Sequence, residues 1–168
     1  MIRIKQSLLV AFLCLVLISC SKDNSIDHQQ VKYEIDLELV KKNNSEMSSR
    51  ILEIINIHRD SLGLNTLHLD NQYSSALAVD HSLYMIDINE LNHDNFGYRS
   101  EAIKFYQKAQ TVSEIVGYGY DTAEEVVNAW LNSTSHKVII EGDFTHTGFG
   151  VLKSENDRNY FTQIFYKK

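Results

Sequence analysis

Apolar residues recur at helical spacing in the first half of the chain. From Glu46 they fall on one face of a helix that Gly63 ends, and residues 43–45 before it offer a cap. A second pattern of the same period starts at Asp70 and continues through Tyr84. These two stretches predict amphipathic helices that pack against a core.

Two further helices are predicted in the second half of the chain. Residues 99–108 have the pattern of a short helix. Thr122 and Glu125 have the spacing of a capping box, and the apolar stripe behind them includes Trp130. A tryptophan on such a stripe is expected in the core.

Other stretches predict strands. Residues 31–39 alternate strictly between apolar and polar, which is typical of a strand, although tertiary packing can also make such a segment helical. Three more predicted strands are residues 111–117, 147–153 and 159–166. Gly148 and Gly150 indicate close approach by another backbone or side chain. Helices around a small antiparallel sheet predict an α+β fold, a three-layer α-β-α sandwich.

The first 19 residues have the pattern of a signal peptide. Arg3 and Lys5 give a positive start, and a short apolar run covers residues 8–18. That run is too short to span a bilayer permanently. Residues 17–20 read Leu-Ile-Ser-Cys and resemble the bacterial lipobox, whose cysteine becomes the lipidated first residue of the mature protein. We therefore expect a lipid on Cys20, with an ordinary cleaved signal as the alternative.

This interpretation divides the chain into a signal peptide at 1–19, a lipidated tether at 20–30 and one domain at 31–168. The two cysteines of the sequence are Cys14 and Cys20, so the predicted domain contains no internal disulfide and relies on packing. The membrane is the expected partner of a lipid on Cys20. Localisation at the cell envelope follows, on the outer membrane facing the periplasm or the cell surface.

The charge of the chain argues against one class of partner. Without Arg3 and Lys5 the chain has 14 basic and 22 acidic residues, and therefore a net charge of −8. Such a surface disfavours nucleic acid and gives no basic patch for anionic lipid headgroups. We therefore expect no nucleic-acid partner.

Two imidazoles and one carboxylate are the main candidates for chemistry. His93 lies in a polar loop after the second predicted helix, and His136 follows a small-residue turn behind Trp130. Glu114 lies inside a predicted strand, where a charge is costly unless it has partners. Because the three side chains come from different elements, they can converge in one cleft.

Motifs in a fixed order extend over residues 46–168. They are Asn56 to Arg59, Leu62 to Leu64 with Leu67, Ala78 to Met85, His93, Arg99, Glu114, Val126-Val127 with Trp130, Ser133, His136, Thr147 to Val151 and Phe161 to Phe165. This order resembles the CAP superfamily of SCP-like extracellular domains, in its short bacterial branch. The resemblance implies an α-β-α sandwich whose central cleft is lined by two histidines and acidic residues and holds a divalent metal in some members.

By this resemblance, His93 and His136 match the two histidines, and Glu114 matches the acid of a Gly-Glu-Asn motif. The glycine and asparagine of that motif are replaced here, and Ser133 stands where eukaryotic members have a second acid. Zinc held by the three matched residues would need water or another acid, such as Asp94, to complete its shell. The alternative is that the histidines cap loops and bond Glu114, which stiffens the cleft without metal or chemistry.

Ser133, His146 and Tyr118 are further cleft candidates. His146 can equally be a solvent-exposed strand residue, and Tyr118 follows the strand of Glu114 in a glycine-rich turn, as a rim residue would. No Gly-x-Ser-x-Gly elbow surrounds Ser133, which argues against a serine hydrolase. The other helix and turn histidines, expected at the surface or in an interface, are His58, His68 and His81.

Three functions remain open. We favour a non-catalytic binding module that presents the cleft to a lipid, glycan, peptide or host ligand, because the acid set is incomplete. The second is a metal-dependent hydrolase that uses His93, Glu114 and His136. The third is a protein-interaction domain in which the cleft is incidental.

Overall fold

The computed structural model describes residues 32–168, so the predicted signal peptide, Cys20 and the tether lie outside it. A 3-10 helix at Leu37–Lys42 comes first. The α-helices of the described residues are α1 Ser45–Ser61, α2 Tyr73–Ile88, α3 Phe96–Gln107, α4 Ala123–Asn132 and α5 Thr134–Ile140. The strands are β1 His68–Leu69, β2 Thr111–Tyr118, β3 His146–Lys153 and β4 Asn159–Lys167.

The strands form one mixed sheet in the order β1-β3-β4-β2. β4 pairs antiparallel with β2 and β3, as predicted, while the two-residue β1 pairs parallel with β3. β1 was not predicted because two residues are too few to produce an alternating pattern. Glu114 on β2 is in register with Ile164 on β4, and Ile164 with Gly148 on β3.

Alternation along the strands divides their side chains between two faces of the sheet. On one face, Phe161 packs in a cluster with Trp130 of α4 and Ile51 of α1. On the other face, Ile164 packs in a cluster with Ile103 of α3 and residues of α2. Helices therefore cover both faces, and the predicted α-β-α sandwich is confirmed.

α2 lies close against β3 because β3 has glycines at the contact. A Cβ atom on Gly150 would lie 2.2 Å from the carbonyl oxygen of Ala78, and one on Gly148 would lie 2.3 Å from Ser74 Oγ. Both distances are far inside van der Waals contact. The close approach predicted from these two glycines is confirmed.

The predicted helix caps are also present. Asn44 Oδ1 accepts a hydrogen bond from the Met47 amide at 3.0 Å, and Thr122 and Glu125 form the reciprocal capping box of α4. α2 begins three residues after the predicted start at Asp70. The Asp70 carboxylate accepts a hydrogen bond from the Ser74 amide in the first turn of α2.

The predicted strand at residues 31–39 is not present in the described residues 32–39. In the described part, residues 32–36 have no regular structure and the 3-10 helix follows. Tyr33 and Ile35 pack against the cluster beneath α2 and α3, and Asp36 Oδ1 accepts from the amide of Glu38 at 2.9 Å to cap the 3-10 helix. The alternation therefore reflects burial against helices and not pairing in a sheet.

Candidate functional site

Glu114 is a buried carboxylate on β2. Its side chain is 1% exposed, and α2 and α3 cover the face of the sheet on which it lies. An isolated charge at this depth would be costly. The structure supplies two hydrogen-bonding partners, Arg99 and His93.

Arg99 on α3 binds both oxygens of Glu114. Its Nε donates to Oε2 and its Nη2 donates to Oε1, each at 2.7 Å. The arginine side chain is 6% exposed, so the pair is both bidentate and buried, which is the strongest form of such an interaction. We identified Arg99 in the sequence only through the family resemblance. Arg99 lies three and four residues before Ala102 and Ile103, which are buried on α3. This spacing puts Arg99 on the same buried face, where its charge needs an acidic partner.

His93 binds the same carboxylate from the loop between α2 and α3. Its Nδ1 lies 2.9 Å from Glu114 Oε1. Because an ionised carboxylate only accepts hydrogen bonds, Nδ1 carries a proton and donates it. The His93 side chain is 50% exposed, and none of the described residues forms a hydrogen bond with its Nε2. The ring is thus held from the inside while its outer nitrogen faces solvent.

The loop is fixed on both sides of His93. His81 Nε2 donates to the carbonyl oxygen of Asn92 at 2.9 Å. Arg99 Nη1 donates to the carbonyl oxygen of Asp94 at 2.6 Å. The backbone before and after His93 is therefore held by two buried side chains, and both of these lie within 4 Å of Glu114.

His81 itself is fully buried, so the prediction of a surface or interface role for it was wrong. It lies between Leu77 and Met85 at four-residue spacing on the buried face of α2. Burial lowers its pKa, and the positive charge of Arg99 lowers it further, so the ring is neutral near pH 7. A neutral ring that donates through Nε2 leaves Nδ1 as an acceptor. This buried atom has no partner among the described residues.

Opposing effects set the pKa of Glu114. Burial raises this pKa, but the hydrogen bonds from His93 and Arg99 and the charge of Arg99 outweigh burial and hold it below its ordinary value of 4.5. The carboxylate is therefore ionised at neutral pH and is a weak base.

His136 lies on α5, and the small-residue turn predicted just before it overlaps the first residues of this helix. Burial lowers the pKa of the half-buried ring, and the charge of His93 lowers it further, so the two imidazoles interact electrostatically. Ser133 Oγ lies 3.1 Å from Ser135 Oγ, and neither hydroxyl bonds a histidine within residues 32–168. The geometry therefore gives no activated serine nucleophile.

Tyr118 and Trp130 lie where they were expected. Tyr118 is 44% exposed and its ring centre lies 4.7 Å from that of Tyr160. Tyr118 shares a face of β2 with Glu114, four residues along the strand. Trp130 is 2% exposed, and its Nε1 donates to the carbonyl oxygen of Val116 at 2.9 Å.

His146 is not among the residues that the structure brings to Glu114. It begins β3, and its Nδ1 lies 2.8 Å from Thr145 Oγ1. Its ring contacts His68 and Tyr166. One strand, β4, lies between β3 and β2 in the sheet, so the structure does not bring His146 to the predicted cleft.

These residues do not fit a metal site in which Glu114 is a ligand. Both of its oxygens accept from Arg99. Within residues 32–168, no three side chains of histidine, cysteine, aspartate or glutamate lie close enough to hold a metal ion. Zinc binding by His93, Glu114 and His136 therefore stays a prediction.

Comparisons with known proteins locate the chain among relatives. The model of the cysteine-rich secretory protein family, CAP, matches residues 52–165. The Bacillus subtilis uncharacterized protein YkwD is 35% identical over 114 residues, and the uncharacterized membrane protein YlbC of the same species is 33% identical over 132 residues. These matches cover 66% and 76% of this chain but only 44% and 36% of the relatives' own lengths.

A solved structure shares the fold. An outer surface protein of Borrelia burgdorferi superposes with a TM-score of 0.67 at 27% identity, over 75% of this chain and 96% of that one. In residues 32–168, no helix has both the length and the apolar character needed to cross a membrane. The family match spans more than half of the sequence and includes the entire Arg99–Glu114–His93 network. The chain therefore belongs to the cysteine-rich secretory protein (CAP) family.

Proposed function

We propose that this protein is an exported, lipid-anchored CAP domain of the cell envelope that binds a ligand in its cleft without catalysing a reaction. The signal-peptide pattern and the lipobox at residues 17–20 support the location. The likeness to an outer surface protein of Borrelia burgdorferi also supports it. A lipid on Cys20 would hold the domain at the membrane through the short segment before residue 31.

The bidentate pair of Arg99 and Glu114 carries the proposal that the cleft binds and does not catalyse. A general base or metal ligand needs a lone pair that substrate or metal can reach, but the Glu114 side chain is 1% exposed. Its Oε1 accepts from Arg99 and His93, and its Oε2 accepts from Arg99. The lowered pKa of Glu114 also makes proton abstraction unfavourable. Glu114 thus anchors His93, and the exposed side of His93 is left for recognition.

The residues predicted to line the cleft are mostly polar. They include the half-exposed ring of His93, the neutral ring of His136 and the hydroxyls of Ser133 and Ser135. The exposed ring of Tyr118 adds an aromatic surface. A few polar groups beside an aromatic ring suit a ligand rich in hydroxyl or carbonyl groups, such as an envelope glycan, a lipid headgroup or a peptide.

A metal-dependent hydrolase is the second candidate, and one observation favours it. Glu114 accepts the Nδ1 proton of His93, which is how carboxylates commonly orient a histidine that binds zinc through its other nitrogen. In this case Glu114 supports a ligand and is not one itself. This function requires stoichiometric zinc that is lost in His93→Ala.

Native mass spectrometry tests the two functions. The chain would be incubated with zinc and a detergent extract of bacterial envelopes, and the wild type would be compared with His93→Ala and His136→Ala. We expect a retained non-metal ligand that both variants lose. His58→Ala is the control and should keep the ligand, because the His58 ring bonds Glu141, the residue after α5. Two results would contradict the proposal. One is that both cleft variants retain the ligand. The other is that the wild type binds one zinc ion and hydrolyses a substrate, while His93→Ala loses the zinc.

A further inference from the structure

A second pair of histidines lies at the other edge of the sheet. His68 on β1 and His146 on β3 are direct partners in the parallel ladder, so their side chains leave the sheet on the same face. Their ring centres lie 5.5 Å apart with an angle of 49° between the planes. His68 is exposed and His146 is half-buried. The described residues make no comparable ring contact between His93 and His136.

The spacing of these two rings matches two ligands of one metal ion. Metal–nitrogen bonds of about 2.0 to 2.1 Å put two imidazoles on a tetrahedral ion with ring centres roughly 5 Å apart. The observed 5.5 Å lies close to that value.

Thr145 prepares His146 for this role. Its Oγ1 lies 2.8 Å from His146 Nδ1, which leaves Nε2 of His146 as the nitrogen for a metal. A hydrogen bond at one ring nitrogen fixes the orientation of the ring and the ligating nitrogen.

Charges near the pair act in both directions. The carboxylate of Asp70 acts favourably on a positive charge at His146, while the ammonium of Lys168 acts against it. Lys168 Nζ donates a hydrogen bond to Gln107 Oε1 at 2.9 Å, which uses part of the hydrogen-bonding capacity of that ammonium group. With two protein ligands, water fills the remaining positions, so the site is open.

We propose that His68 and His146 form a binding site for a divalent transition metal, separate from the cleft of His93. Imidazole ligands suit copper, nickel and zinc, and copper binds most tightly in this series. Cu²⁺ is therefore the most sensitive probe.

Electron paramagnetic resonance of Cu²⁺ tests this site in the full chain. Cys14→Ser and Cys20→Ser are introduced in every sample, so that thiols do not compete for copper. We expect one bound Cu²⁺ with hyperfine coupling from two imidazole nitrogens. His68→Ala and His146→Ala should each weaken binding by roughly tenfold or more, since each removes one of two ligands.

Two further variants make the result specific. His58→Ala should bind Cu²⁺ as the wild type does, and so should His93→Ala. The proposal is overturned if His68→Ala and His146→Ala keep wild-type affinity, or if His93→Ala abolishes the signal. Thermal unfolding of each variant without metal separates loss of a ligand from loss of the fold.

Discussion

Arg99 Nε and Nη2 each lie 2.7 Å from a different oxygen of Glu114, in a pair whose side chains are 6% and 1% exposed. The same guanidinium also donates to the carbonyl oxygen of Asp94, in the loop that carries His93. One side chain thus neutralises the buried acid and fixes the loop above it.

Removing this arginine should destabilise the fold. We expect Arg99→Ala to lower the free energy of unfolding by about 3 to 5 kcal/mol, because Glu114 is left buried without its partner. Urea unfolding followed by circular dichroism measures this loss. Glu114→Gln in the same chain should recover part of it, because no buried charge remains.

The control for this variant is Arg50→Ala. Arg50 pairs with Glu53 and Glu124 at the surface, where the side chains are 48% to 58% exposed. Pairs of this kind contribute about 0 to 1 kcal/mol. Equal losses in Arg99→Ala and Arg50→Ala would show that the buried pair has no special role.

Stability should fall as the pH drops below 6.5, and His81 should account for part of the change. Its folded pKa is lowered from 6.5, first by burial, so the unfolded state binds protons more readily. Neutral His81 therefore contributes its full share of the free energy of unfolding at any pH above the unfolded pKa. This share is lost as the pH falls from the unfolded to the folded pKa. The loss is at most about 1.4 kcal/mol per pH unit. Urea unfolding at pH 7.5 and 5.5 should show a smaller difference in His81→Gln than in the wild type. An unchanged difference contradicts this role for His81.

The close contact of α2 with β3 should not tolerate a methyl group. Gly150→Ala would place its Cβ 2.2 Å from the carbonyl oxygen of Ala78, and we expect a loss of about 1 to 3 kcal/mol or more. Gly97→Ala is the matched control, since no atom lies within 4 Å of its Cβ and it lies in α3. The control should be neutral or stabilising by up to about 1 kcal/mol. Calorimetric melting of the two variants checks both expectations.

Lipid attachment is predicted at one of the two cysteines of the sequence. Cys20→Ser should move the protein from the membrane fraction to the soluble fraction and abolish labelling by a radioactive fatty acid. Cys14→Ser, within the predicted signal peptide, should change neither result. Labelling that survives in Cys20→Ser would exclude the lipobox interpretation.

Local patterns predicted most of the secondary structure. α1 and α4 were predicted from apolar spacing and cap residues, and both caps form as expected at Asn44 and Thr122. The strand predicted at residues 31–39 was wrong because Tyr33 and Ile35 pack against a cluster of helix residues. Periodicity reports which side chains are buried, but it does not report which element covers them.

The chemistry of the site was predictable only in part. The need of Glu114 for partners followed from a charge inside a strand. His93 was a candidate because it lies in a polar loop after the second predicted helix, and the resemblance matched it to a cleft histidine. The pairing with Arg99 and the burial of His81 depend on how α2 and α3 pack over β2. Arg99 and His81 both lie on buried faces of their helices. An arginine on the apolar face of a predicted helix, together with an acid inside a predicted strand, was the pattern that indicated this pair.

The central claim is that Glu114 anchors His93 in a cleft that recognises a ligand without a metal. Long-range nitrogen–proton NMR of the histidine rings, recorded at neutral pH before and after zinc is added, tests this most directly. The account predicts a proton on Nδ1 of His93, and signals of His93 and His136 that zinc leaves unchanged. Zinc that shifts the signals of both rings at one equivalent, with loss of the shifts in His93→Ala, would contradict it.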